Sequence, residues 1–107
     1  MQVSNQYRHI EVKMYYISMY VTPHWNQPDC QIVKKALARF WVEAKDSVRA
    51  GRKAINYSEK HQFEVHYFKQ APTPVDCEDP SYGAIESIHA QIAREQGISM
   101  CLTDWHL

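Results

Sequence analysis

The stretch Ile10–Val21 constrains this chain most, because it is apolar on both sides at a period of two. One side carries Ile10, Val12, Met14, Tyr16, Ser18 and Tyr20; the other carries Glu11, Lys13, Tyr15, Ile17, Met19 and Val21. A run so rich in β-branched, aromatic and Met side chains predicts a strand. A strand with apolar groups on both sides belongs inside a sheet, covered at least in part on each face.

The rest of the chain is read around that strand. Thr22–Pro28 is a loop punctuated by Pro23 and Pro28. Asp29 is a good N-cap for a helix reaching Arg49 or Ala50, with Gly51 ending it. On a 3.6-residue wheel Val33, Ala36, Leu37, Phe40, Ala44 and Val48 share one face, with Cys30 and Trp41 at its edge. Lys53–Tyr57 reads as a short strand and Gln62–Lys69 as another, with Phe63, Val65 and Tyr67 alternating against Glu64, His66 and Phe68. Residues 70–79 are a linker containing Pro72 and Pro74. Asp79-Pro80 caps a second helix through Gln96, closed by Gly97. Ile98, Met100 and Leu102 alternate in a closing strand.

The expected order is β-α-β-β-α-β, a ferredoxin-like α+β sandwich with an antiparallel sheet and both helices on one sheet face. If residues 53–57 are a loop, a three-stranded α/β arrangement is the fallback. A length of 107 residues suits one domain spanning 1–107, with the polar residues 1–8 frayed. The side Ile10, Val12, Met14 and Tyr16 is assigned to the core, leaving Tyr15, Ile17, Met19, His66 and Phe68 on an open sheet face. An apolar patch of that kind marks an interaction site, and two such faces would pack as a homodimer.

Charge adds a second handle. The net charge is zero, yet eight basic residues lie between Lys34 and Lys60 against three acids, and seven acids lie from Glu64 onward against Lys69 and Arg94. Such a dipole steers an acidic partner toward the basic surface of Lys34, Lys45, Arg49 and Arg52. The same four residues are the footprint of a rival reading, nucleic-acid binding, although Glu64 puts negative charge on the sheet. A third reading is a cofactor-independent enzyme or small-molecule binder with His66, Tyr15 and Cys101 lining a cavity; His66 would need an orienting partner such as Glu64.

Several classes lack their signatures. Three glycines at no fixed spacing make neither a P-loop nor a dinucleotide fingerprint. Cys30, Cys77 and Cys101 are odd in number and widely spaced, which suits reduced thiols in the cytoplasm better than a disulfide framework or a zinc site. No metal, cofactor or membrane segment is expected. The sequence therefore points to a small interaction or regulatory module, homodimeric and binding an acidic protein, with the enzyme reading ranked below the binding ones.

Overall fold

A computed structural model describes residues 11–23 and 35–106. The frayed arm, the Asp29 cap, Cys30 and Lys34 lie outside the described residues. The elements in chain order are β1 (Lys13–Pro23), β2 (Lys35–Ala44), α1 (Ser47–Lys60), β3 (Phe63–Pro74), α2 (Ala84–Gln96) and β4 (Ile98–His106). The four strands form one antiparallel sheet in the order β3-β1-β2-β4. The protein is α+β, but its connectivity is not the ferredoxin order. β2 and β3 run parallel with β1 between them, α1 making the crossover. α2 then carries the chain from one sheet edge to the other.

The two helices also cover opposite faces rather than one. Ala50 and Ala54 of α1 pack with Tyr15, Ile17, Met19, Val21, Ala36, Ala38, Phe40 and Val42. Ala90 and Ala93 of α2 pack with Met14 and Trp41, flanked by Tyr16 and Cys101. Register explains the split: Tyr15 faces Val42 and Ile17 faces Phe40, while Tyr16 faces Trp41 and Ser18 faces Arg39. Side chains alternate across a strand, so each β1–β2 step switches layers. The expected two-sided burial of β1 holds. The side assigned as open is instead the larger core, with Ile17, Met19 and Val21 fully enclosed.

The expected helix over 29–50 is replaced within its described part by β2 and the start of α1. Ala36, Leu37, Phe40 and Ala44 satisfy a helical stripe, yet Ala36, Ala38, Phe40 and Val42 also satisfy a strand face, with Leu37 and Trp41 on its reverse. The strand wins because it buries both sides at once, Phe40 under α1 and Trp41 under α2. Each such side chain stabilises the fold by about 1.5–3 kcal/mol.

The true first helix starts at Ser47, where extended Asp46 accepts the Arg49 backbone N–H at 2.8 Å. It runs straight through Gly51 and absorbs the expected 53–57 strand. The 70–79 linker is likewise shorter than expected, since β3 continues to Pro74. Asp79 does not cap α2; its carboxylate accepts from the Ser81 backbone N–H in a turn before the helix. α2 ends as expected at Gly97, whose φ of 92° is the left-handed conformation glycine adopts freely.

Candidate functional site

Two places concentrate chemistry. The first is a polar–aromatic cluster between the sheet and α2. Trp41 is fully buried, lies parallel to the His89 ring with centroids 4.9 Å apart, and donates from Nε1 to the Tyr82 hydroxyl at 2.6 Å. Arg39 sits over the Tyr16 and Trp41 rings, donates from Nε to the Tyr16 hydroxyl at 2.9 Å, and pairs with Glu86 at 3.1 Å. His89 Nδ1 hydrogen-bonds the Ser99 hydroxyl at 2.7 Å.

Titration follows these contacts. Burial works against the Arg39 charge, but its bonds to Tyr16 and Glu86 outweigh that and hold its pKa above the ordinary value. Glu86 is held low by its own backbone N–H and then by Arg39. Burial, reinforced by Arg39, keeps His89 below its ordinary value. Burial pushes the Tyr82 hydroxyl and the Cys77 thiol up. Among the described residues no buried side-chain nitrogen or oxygen lacks a hydrogen-bond partner. Each polar group here is spent on another, so the cluster acts as a lock fixing α2 on the sheet.

The second place is a groove of about 430 Å³ between α1 and β3. Ser47, Val48, Gly51, Arg52 and Ile55 line it from the helix; Phe68, Ala71 and Pro72 line it from the strand. Positions 48, 51, 52 and 55 share one helix face, adjoining the buried face of Ala50, Gly51, Ala54 and Ser58. Gly51 makes room: a Cβ there would lie 3.4 Å from Pro72 Cγ and 3.7 Å from Phe68 Cζ. Val48 and Phe68 are 66% and 40% exposed, large apolar groups left open to water. Arg52, the groove's one charged wall, makes no ion pair among the described residues.

The structure disperses most of the candidates drawn from sequence. Tyr15, Ile17 and Met19 are core beneath α1, so no open face joins them to His66 and Phe68. Of that patch Phe68 alone lines the groove; His66 hydrogen-bonds Thr22 at 2.6 Å on the strand's other side. Tyr15, His66 and Cys101 therefore do not share a cavity: Tyr15 and Cys101 belong to opposite layers, and His66 is on the exposed part of β3.

Of the basic surface, Lys45 precedes α1, Arg49 pairs with Asp46, and Arg52 enters the groove. Lys53 donates to the Glu43 carbonyl at 2.8 Å, joining the helix to the end of β2. Among the described residues no group of three His, Cys, Asp or Glu side chains is placed to hold a metal, and no helix is long and apolar enough to cross a membrane. The groove escaped sequence reading because its walls come from segments separated by the whole α1–β3 turn. The Arg39 cluster escaped because only β-register brings Arg39, Tyr16 and Trp41 together.

No family model matches the chain, and neither the curated proteins nor the solved structures contain a detectable relative.

Proposed function

We propose that this protein is a small binding module that docks a segment of an acidic protein partner between α1 and β3. One observation carries the reading: an open apolar groove, with exposed Val48 and Phe68 in its walls, holds a single arginine with no ion-pair partner among the described residues. Apolar walls supply affinity, and an unpaired cation favours a segment carrying Asp or Glu. The outer edge of β3 is poorly suited to strand addition. Its pairing to β1 is broken by three register shifts, and it carries Lys69, Pro72 and Pro74. Such edges resist strand addition, so side chains rather than main chain should make the contact. A reducing, cytoplasmic setting fits the free thiols of Cys77 and Cys101.

Random-peptide display on the immobilised protein tests this reading. The wild type should enrich peptides that combine aliphatic and acidic residues, and Arg52→Glu should lose that enrichment. No enrichment, or enrichment indifferent to Arg52→Glu, would overturn it.

A further inference from the structure

We infer that the acidic partner is a second copy of this chain, whose α2 enters the groove head to tail; this rests on the groove being a docking site. The donor surface is the outer face of α2. Ile85 and Ile88 are each 60% exposed, one turn apart, and stand away from the face on which Ala90 and Ala93 pack against the sheet. Glu95 lies on the same side as Ile88, two turns on, and is exposed. Asp76, Glu78 and Asp79 precede the N-terminus of α2, whereas Glu95 lies at its C-terminal end beside Arg94.

The receiving surface is complementary in three respects. It is apolar where α2 presents isoleucine. It offers Arg52 where α2 offers Glu95. It is also of comparable length: Ser47 to Ile55 spans about 12 Å of helix, and Ile85 to Glu95 about 15 Å, at 1.5 Å per residue.

Geometry decides what such pairing builds. α1 and α2 lie on opposite faces of the sheet. A copy that gives its α2 to one neighbour keeps its own groove turned the other way, toward a third. The contact is heterologous, and it propagates as a chain or closes as a ring rather than stopping at a two-fold dimer.

The test uses sedimentation and light scattering on the full chain, from micromolar to millimolar, at low and high salt, with Arg52→Glu and Ile88→Asp. Both positions are exposed, and near-ultraviolet circular dichroism checks that each variant keeps its fold. Wild type should grow beyond a dimer with concentration and shrink with salt. Each variant alone should be monomeric. An equimolar mixture should form a heterodimer that grows no further, because one variant keeps a working helix and the other a working groove.

A mixture that stays monomeric would overturn head-to-tail pairing, as would a wild-type dimer that neither substitution disturbs. A wild type monomeric at millimolar concentration would overturn self-association. If that monomer still enriches acidic peptides through Arg52, the docking groove stands and only its occupant is wrong.

Discussion

Gly51→Ala connects the stability of α1 to the groove and can be worked through from the structure. Gly51 lies inside a 14-residue helix, and it is not among the positive-φ glycines, so no backbone conformation there requires glycine. Glycine in a helix interior costs about 1 kcal/mol relative to alanine, because the unfolded chain loses more freedom on ordering. The new methyl would lie 3.4 Å from Pro72 Cγ and 3.7 Å from Phe68 Cζ, ordinary van der Waals separations. It therefore adds contact without forcing a shift. The variant should gain about 1 kcal/mol and melt about 4–8 °C higher, measured by urea and thermal unfolding. The same methyl occupies groove space, so peptides selected on the wild type should bind the variant more weakly. Destabilisation would show that the α1–β3 approach is tighter than these distances allow. Unchanged peptide binding would show that ligands do not use the groove floor.

Three further outcomes are expected. Ile17→Ala removes a fully buried side chain from the α1 core and should cost about 3–4 kcal/mol in urea unfolding; a loss typical of an exposed site would place Ile17 back on an open face. Trp41→Phe removes the donor to Tyr82 and part of a buried ring, so a loss of about 2 kcal/mol with weakened near-ultraviolet dichroism is expected, and a neutral outcome would contradict the lock at α2. His89 faces Arg39 and Glu86 and titrates below its ordinary 6.5 when folded, so the unfolded chain binds more protons in that window. Stability should be full above pH 6.5 and decline as the pH falls through the folded value. His89→Gln should flatten that decline in pH-dependent unfolding, and a slope of opposite sign would refute the assignment.

Sequence legibility varied with how local the signal was. β3 and α2 follow from short-range signs, the alternation from Phe63 and the stop at Gly97. The isoleucine stripe at 85, 88 and 92, however, misplaces the packing face: Ile85 and Ile88 are exposed and α2 packs through Ala90 and Ala93. α1 was hidden because its buried face is Ala50, Gly51, Ala54 and Ser58, small residues that make no large apolar stripe, and because Gly51 reads as a terminator. Arg52 was named from sequence for its charge, and Phe68 for its exposure, yet nothing local joins them. Trp41 reads as the edge of a helix's apolar face, and only β-register places it and Arg39 beside Tyr16.

Local chemistry thus settled that β1 is central and two-faced, that the last helix ends in a left-handed glycine, and that charge is divided between the middle and the end of the chain. Periodicity and capping are properties of a few consecutive residues and survive without neighbours. The competition over residues 36–44, the placing of helices on opposite faces, and the groove beside Arg52 were settled by packing. A run that satisfies two periods takes the one that buries more surface, and how much it buries depends on layers contributed by distant parts of the chain.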